Sequence, residues 1–411
     1  MHEIDRTRVD VGNVLDSARF RGLPLLVMVC AASVMILDGF DIQIMGFASP
    51  ALASEWGIHR SALAPAFAAA LIGMAIGGFT LGPYGDRRGR RPAILLAVLL
   101  FSLGTLVTAW APNLEILVAL RFVTGIGLGG ALPNATALMA EFAPPKVRGQ
   151  SIAAALVGVP IGGMLGAAIA AEVIPVFGWR TIFLIGGVLP LLSGVALYFL
   201  LPESARFLAA NPGREKDLAG ILNRVVGEQR FTAAQSFILG SQLASTRQIG
   251  GVRAVLSRDL RFDTVALWIV FITNLFAVYC FYNWISVVLT SIGMDLATAV
   301  KGSLIFNTAG VVGSILTSWL IARLGSRWLQ AILCIVGAVA LLYVGSLVGI
   351  TGATAAAVPT TAIMMALAVA GFCILAVQVT MYAVAAHVYP VLSTYSSGMV
   401  AGWIQRNSTA I

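Results

Sequence analysis

Long runs of apolar residues, separated by short polar or charged segments, dominate this sequence. A helix needs about 20 mainly apolar residues to cross a bilayer, and the strands of a membrane barrel are much shorter than these runs. We therefore predict an all-α polytopic membrane protein with ten transmembrane spans. Their predicted bounds are 22–46, 61–84, 92–110, 114–138, 149–172, 179–201, 264–290, 300–322, 328–350 and 357–388.

The spacing of these spans divides the chain into two bundles. The predicted regions are a cytoplasmic tail at 1–21, a six-helix bundle at 22–201, a basic cytoplasmic linker at 202–261, a second bundle with the seventh to tenth spans at 262–390, and an atypical tail at 391–411. The last segment begins with polar residues and carries Arg406 near its end. It is therefore too polar to cross a bilayer alone.

An internal repeat supports the division into two halves. The segment GPYGDRRGRR at 82–91 follows the second span, and SWLIARLGSR at 318–327, a weaker copy, follows the eighth. Repeats at this position indicate two six-helix halves related by an axis along the membrane normal. Because such a protein has twelve spans, we predict that this chain is truncated and that its eleventh and twelfth spans are missing or incomplete.

The charge pattern indicates orientation rather than nucleic-acid binding. The chain has 26 Lys and Arg against 18 Asp and Glu, which gives a formal net charge of +8. The basic residues cluster in alternate loops, so the positive-inside rule places those loops and the N-terminus in the cytoplasm. No basic face with groove-reading elements accompanies them. We predict that the protein lies in a lipid bilayer and that it has no nucleic-acid partner.

Catalytic and metal-binding signatures are missing from the sequence. All four cysteines lie inside apolar spans without ligand spacing, which is typical of packing residues. We find no nucleophile with its base and no cluster of metal ligands. The prediction is a protein that is not an enzyme and that uses no metal or cofactor.

Three ionisable residues inside the spans are predicted to couple protons: Asp38 and Asp41, late in the first span, and Arg121 in the fourth. An unpaired charge at membrane depth costs at least about 2.5–3.5 kcal/mol, so we expect Arg121 to face a cavity and an anionic partner. The two acids are close enough to share one helix face. Solvated interfacial or capping acids are the alternative for the aspartates. For Arg121 the alternatives are a structural ion pair and a contact with a substrate carboxylate.

Glycine and proline in the fourth and fifth spans indicate close helix packing. The letters G-x-G-x-x-G at 125–130 follow no strand, so they favour contact between helices over dinucleotide binding. In the fifth span, Pro160 stands among glycines and is predicted to kink the helix as part of a moving gate. Tight static packing is the alternative.

The loop after the second span combines an acid with several arginines at a helix junction. The acid can accept hydrogen bonds from a helix N-terminus or an arginine, and the arginines can lock one conformation of the bundle. An ordinary basic stop between helices is the alternative. In the second copy Ala322 stands in place of the acid, which predicts a weaker lock. The predicted gating residues are Gly82, Asp86, Arg87, Gly89, Arg90 and Arg91.

Polar side chains at membrane depth are candidate substrate ligands. An aromatic ring such as that of Tyr279 could stack against an aromatic substrate. Hydrogen bonding between helices is an equal alternative for four of the candidates: Asn134, Asn307, Gln378 and Tyr382. For polar aromatic residues of the seventh span, the alternative is a belt at the membrane interface. The predicted ligands are Asn134, Asn274, Tyr279, Asn307, Gln378 and Tyr382.

These motifs resemble a known family. The loop at 82–91 resembles the signature loop of the major facilitator superfamily. The segment from Asp38 to Asp41, with Arg121 to Gly130 and Pro202 to Ser204, is similar to the aromatic acid/proton symporters, of which the 4-hydroxybenzoate transporters are typical. The resemblance covers about residues 38–390. It implies a major facilitator fold with a central cavity lined by the first, fourth, seventh and tenth spans.

The resemblance also implies a function. It predicts a monomeric symporter of the bacterial inner membrane that imports aromatic carboxylates with protons by alternating access. After Pro390 the family's arginine-containing continuation is replaced by a different sequence. The alternatives are therefore a transporter of another small organic acid, a nonfunctional truncated transporter and a membrane sensor.

Overall fold

The computed structural model describes residues 8–238, 261–350 and 360–388, with the backbone alone for 322–324, 326–327, 347–350 and 382–388. Ten helices within these ranges are long and apolar enough to cross a membrane, which confirms the predicted number. The described part of the chain is almost entirely helical, as the apolar runs predict.

The elements follow one another in a simple order. The first half contains β1 (Arg8–Asp10), α1 (Val11–Ser17), α2 (Leu23–Trp56), α3 (Ala64–Arg88), α4 (Arg90–Thr108), α5 (Leu114–Phe142), α6 (Pro145–Leu156), α7 (Gly158–Phe177) and α8 (Trp179–Leu200). The region after it contains α9 (Ala205–Ala209), α10 (Glu215–Val226) and β2 (Ser236–Ile238). The second half contains α11 (Arg261–Ser291), α12 (Leu296–Leu324), α13 (Ser326–Ile350) and α14 (Thr360–Val388).

Short polar residues and glycine set several helix ends. The Asn113 side chain accepts a hydrogen bond from the Ile116 N–H (3.0 Å) at the start of α5, and Asp295 accepts one from the Thr298 N–H (2.9 Å) at the start of α12. These bonds satisfy N–H groups of the first turn that have no partner within the helix. Gly57 ends α2 in the left-handed conformation, with φ of 63°.

Most of the described membrane helices differ from their predicted bounds by a few residues, and two predicted spans differ in a way that matters for the site. Helix α2 ends at Trp56 and not near residue 46, because most of the residues that follow are small or apolar and Pro50 is accommodated inside the helix. Asp38 and Asp41 therefore lie near its middle, so the prediction that they lie late in the span is wrong. The predicted fifth span consists of two helices, α6 and α7, which meet at Val157.

The two halves meet along a shared face. In the first half α2 packs along α7 and α3 along α5, while in the second half α12 packs along α14. Helices α2 and α7 contact α11 and α12 across the interface between the halves. A Cβ atom at Gly129 of α5 would lie 1.9 Å from the carbonyl oxygen of Met74 on α3. This glycine therefore allows the backbones to touch, as the packing interpretation predicts.

A small folded layer covers one end of the first half. Strand β1 pairs in parallel with β2, with Val9 opposite Phe237. Helix α1 buries Leu15 in the same apolar cluster as Leu222 of α10. Parts of the predicted tail at 1–21 and linker at 202–261 thus fold together. We call this side of the protein the linker side and the other the opposite side. Residues 239–260 and 391–411 lie outside the described ranges, so the predicted domain bounds there stay predictions.

Candidate functional site

Arg121 of α5 is buried and contacts Asp41 of α2. Its Nη1 atom lies 3.5 Å from Asp41 Oδ2, which makes an ion pair between two side chains with almost no exposed surface. Because an isolated charge at membrane depth is costly, each of these groups stabilises the charged form of the other. Arg121 thus has the anionic partner that the sequence analysis expects.

Threonine hydroxyls and an aromatic ring complete this arrangement. Arg121 Nη2 donates to Thr105 Oγ1 (3.0 Å) and Thr124 Oγ1 (3.1 Å), and the Thr105 hydroxyl donates to Asp41 Oδ1. The guanidinium carbon lies 5.3 Å from the centre of the Phe183 ring, a geometry that favours a cation. Four helices of the first half, α2, α4, α5 and α8, therefore hold this ion pair.

Asp38 has very different surroundings. It lines a cavity of about 50 Å³ between the two halves, together with Tyr279 and Tyr282 of α11 and Gln378 of α14. The side chain is buried, and its Oδ1 atom has no hydrogen-bond partner among the residues whose side chains are described. We call this space the central cavity. Its other lining residues are apolar: Ile42, Leu132, Leu156, Val159, Pro160, Leu275, Val278, Leu375 and Val379.

A second cavity, of about 20 Å³, lies against the ion pair. Asp41 and Arg121 line it together with Met74 and Phe67 of α3. A water molecule needs roughly 10–15 Å³, so both cavities have room for water. Ile42 and Tyr279 line both spaces. Each acid therefore faces its own cavity, and these two side chains stand between them.

Three of the predicted ligands lie at the central cavity or next to it. Tyr279 and Gln378 line it, and Asn274 Nδ2 donates to Gln378 Oε1 at 2.5 Å. The Tyr279 hydroxyl lies 3.8 Å from the Met74 sulfur, so it also reaches from α11 to the first half. These groups combine an aromatic ring with two amides beside Asp38.

The structure places two other predicted ligands in contacts between helices. Asn307 of α12 forms hydrogen bonds with Gln43 of α2, and Asn134 of α5 donates to the carbonyl oxygen of Leu81 on α3 (3.0 Å). Neither residue lines the two cavities described above. Both residues are therefore placed as the alternative in the sequence analysis describes, with hydrogen bonds between helices and not at a cavity. The Tyr382 side chain lies outside the described residues.

The segment at 82–91, at the junction of α3 and α4, also contacts α5. Asp86 forms an ion pair with Arg90, and Arg90 Nη1 donates to Asn134 Oδ1 at 3.0 Å. Gly82 is buried within α3, whereas Arg87 is exposed at its end. The predicted gating acid and one of the predicted arginines thus contact each other, and Asn134 belongs to the same group.

The loop also contacts the start of the linker region. The Arg91 N–H donates to Glu203 Oε1 (3.1 Å), and Arg91 Nη2 donates to the carbonyl oxygen of Tyr198 (2.5 Å). Gly89 has φ of 108°, and a Cβ atom there would lie 2.2 Å from Glu203 Oε2. Both the conformation and the close carboxylate thus require glycine. Pro160 stands in the first turn of α7, next to the break at Val157, and lines the central cavity.

Four residues in these contacts are not among the predicted site residues: Gln43, Thr105, Thr124 and Glu203. Gln43 and the two threonines are polar residues inside apolar spans, and that contrast is the signal that could have identified them. In the part of the chain that the structure describes, no group of three or more His, Cys, Asp or Glu could hold a metal ion.

Comparisons with known proteins agree with this architecture. Residues 31–408 match the sequence profile of the Major Facilitator Superfamily. A gallate transporter of Pseudomonas putida is 34% identical over 382 residues, which cover 93% of this chain and 82% of the relative. The 4-hydroxybenzoate transporter PcaK of Pseudomonas aeruginosa is 33% identical over 365 residues, which cover 89% of this chain and 79% of the relative.

The fold is also similar to that of solved transporters. A partially occluded inward-open structure of the xylose transporter XylE from E. coli superposes with a TM-score of 0.72 at 18% identity, covering 94% of this chain and 91% of that one. The similarity in sequence, the ten membrane helices and the two packed halves all lead to one conclusion. The chain belongs to the Major Facilitator Superfamily and is a membrane transporter rather than an enzyme.

Proposed function

We propose that this protein imports aromatic carboxylates together with protons by alternating access. The observation that carries the proposal is Asp38, a buried acid that lines the central cavity between the two halves beside Tyr279 and Tyr282. Relatives that transport gallate and 4-hydroxybenzoate support the substrate class. Both of those substrates carry one aromatic ring and one carboxylate.

The residues at the central cavity suit such a substrate. The tyrosine rings offer faces and edges for contact with an aromatic ring. The amides of Gln378 and Asn274, which are hydrogen-bonded to each other, are able to exchange that bond for one to a carboxylate or a ring hydroxyl. In this proposal Tyr279, Gln378 and Asn274 are the ligands, while Asn134 and Asn307 hold helices together.

Proton coupling follows from the charge of Asp38. No ion pair to Asp38 is found among the described side chains, and an ionised carboxylate without a partner is costly to bury. A substrate carboxylate beside ionised Asp38 would add repulsion between like charges. Protonation of Asp38 removes both costs, so substrate binds well only when the proton is bound. The loaded carrier then moves the two together.

The pairing of Asp41 with Arg121 sets the proposed stoichiometry. Because Asp41 is balanced by a buried cation, it can remain ionised and need not take up a proton during transport. One proton with one monoanion carries no net charge, so only the pH gradient drives accumulation, at about 1.4 kcal/mol per pH unit. A second proton would add about 2.3 kcal/mol per 100 mV of membrane potential.

Topology and gating complete the proposal. We assign the linker side, including the N-terminus, to the cytoplasm of a bacterium, because exposed basic residues such as Arg19, Arg87 and Arg214 lie there. The protein acts as a monomer in the inner membrane. The contacts of Asp86 with Arg90 and of Glu203 with Arg91 hold together the cytoplasmic ends of the first-half helices, against which the second half moves.

Reconstituted proteoliposomes test the proposal. We expect an acid-outside gradient of one pH unit to drive about tenfold accumulation of labelled 4-hydroxybenzoate or gallate. An inside-negative potential alone should drive none. Liposomes without protein are the control. Accumulation of neither acid under the pH gradient would contradict the substrate class, and accumulation driven by potential alone would contradict the one-proton mechanism.

A further inference from the structure

Gln43 and Asn307 form a reciprocal pair across the interface between the two halves. Gln43 Nε2 donates to Asn307 Oδ1 (3.1 Å), and Asn307 Nδ2 donates to Gln43 Oε1 (2.8 Å). Both side chains have no exposed surface. Gln43 belongs to α2 of the first half and Asn307 to α12 of the second. The two bonds therefore exist only while these helices remain together.

A glycine on a third helix makes room for this pair. A Cβ atom at Gly163 of α7 would lie 1.8 Å from Gln43 Nε2 and 2.7 Å from Asn307 Oδ1. Asn307 Nδ2 also donates to the carbonyl oxygen of Ser303, one turn away (2.8 Å). The amides are thus held in one orientation by α2, α7 and α12 together, which is how a specific contact differs from incidental polar packing.

The pair lies next to a group of contacts that close the opposite side. Toward that side, a Cβ atom at Gly46 would lie 2.6 Å from the carbonyl oxygen of Tyr282. Arg60 Nη1 donates to the carbonyl oxygen of Val287 (3.4 Å). The rings of Phe67 and Trp284 lie 5.3 Å apart. Each contact joins the first half to α11. We call this group the opposite-side seal.

The location of the central cavity indicates on which side of the protein the pair must separate when the protein opens. That cavity is lined by residues such as Leu132, Gln378 and Val379, which lie in the linker-side halves of α5 and α14. Opening the protein on the opposite side separates α2 from α11 and α12, so it must break both amide hydrogen bonds. Opening on the linker side does not require this. The pair therefore stabilises one state of an alternating-access cycle against the other.

We propose that Gln43 and Asn307 form a latch that holds the protein closed on the side opposite the linker. Its loss shifts the population toward the state open on that side. The inference rests on the proposed alternating access, but it does not depend on the substrate or on proton coupling. Interhelical hydrogen bonds in membranes are individually modest, so the latch sets the balance between two states without preventing exchange.

Site-directed labelling without substrate tests the latch. All four native cysteines are replaced by alanine, and Met45, which lines the second cavity one turn beyond Asp41, is replaced by cysteine. A membrane-impermeant maleimide is added to right-side-out and to inside-out vesicles. We expect Gln43→Ala and Asn307→Ala each to raise the initial labelling rate roughly three- to tenfold, as loss of one or two interhelical bonds predicts. The increase should occur only when the reagent is on the opposite side.

Ser303→Ala is the matched control. The Ser303 hydroxyl lies 3.2 Å from the Ser286 hydroxyl, so this change removes a buried polar contact on α12 one turn from Asn307 but within one half. We expect it to leave the labelling rate unchanged. Thermal melting of each purified variant in detergent checks folding. Because Gln43 and Asn307 lie in different halves, whichever single variant folds carries the test.

The double variant distinguishes a pair from two independent residues. If the amides act only through each other, Gln43→Ala with Asn307→Ala should label no faster than the faster single variant. Rates that multiply in the double variant, or single variants that label like Ser303→Ala, overturn the latch. Failure to accumulate any aromatic acid would contradict the proposed function alone, because the labelling assay contains no substrate.

Discussion

Asp38 and Asp41 lie three residues apart on the same helix, yet their carboxyl groups have different partners. Asp41 faces Arg121 at 3.5 Å and accepts a hydrogen bond from Thr105, all within the first half. Asp38 faces the central cavity, whose far wall belongs to the second half. The difference arises because a step of three residues turns the side chain by about 60° around the helix, enough to reach different neighbours.

This contrast separates two uses of a buried acid. A carboxylate paired with arginine contributes a fixed charge balance to its bundle, and its removal leaves the arginine unpaired. A carboxyl group at the interface between moving halves changes its surroundings when those halves move, so its affinity for a proton is able to change during the cycle. Asp41 fits the first description and Asp38 the second.

The largest expected effect comes from removing the partner of Asp41. Arg121→Met replaces the guanidinium with the end of an unbranched apolar side chain and leaves Asp41 buried without its cation. This change should destabilise the protein by about 3–5 kcal/mol. Thermal unfolding in detergent measures this loss. Asp38→Asn should shift the midpoint little, because no ion pair to Asp38 is present in the described part of the structure.

The matched control for Arg121→Met is the double variant Asp41→Asn with Arg121→Met. Removing both charges leaves no unpaired ion, so we expect it to melt at a higher temperature than Arg121→Met alone. Equal or lower stability of the double variant would show that Asp41 is not the charge that Arg121 balances.

The next effect concerns transport by the Asp38 variant. Asp38→Asn resembles the protonated acid but has no proton to exchange, so accumulation under a pH gradient of one unit should fall from about tenfold to none. Exchange of internal unlabelled for external labelled substrate should continue, since it needs no net proton movement. Retained accumulation by Asp38→Asn would assign proton coupling to another residue.

Much of the fold follows from the sequence because lipid imposes simple requirements on a helix. Each apolar run near 20 residues predicts one span, and all ten occur in the described ranges. The same cost argument predicts an anionic partner for Arg121, and the structure provides Asp41. Helix α2 extends to Trp56, beyond its predicted end at residue 46, and Pro50 lies inside it, as is tolerated in a membrane helix.

Contacts between helices were harder to predict than the helices themselves. Apolar spans lack a polar face that would set their rotation, so sequence spacing does not show which residues of α2 face α5, α11 or α12. In the sequence, Asn134, Asn307 and Gln378 therefore give the same signal, an amide side chain inside an apolar span. Only the packing places the first two between helices and the third at the central cavity. The pairing of β1 with β2 joins distant segments and carries no local signal.

The smallest predicted effect concerns the side chain between the two acids. Tyr279 lines both cavities, and its hydroxyl contacts the Met74 sulfur at 3.8 Å, a weak interaction. Tyr279→Phe keeps the ring, so the substrate concentration for half-maximal uptake should rise only about two- to threefold, near the lower end of what one hydrogen bond contributes. Tyr279→Ala removes the ring that separates the cavities, so it should raise the substrate concentration for half-maximal uptake much more than Tyr279→Phe does. If both variants change uptake equally, the hydroxyl and not the ring is what matters at this position, and the separation of Asp38 from Asp41 does not depend on Tyr279.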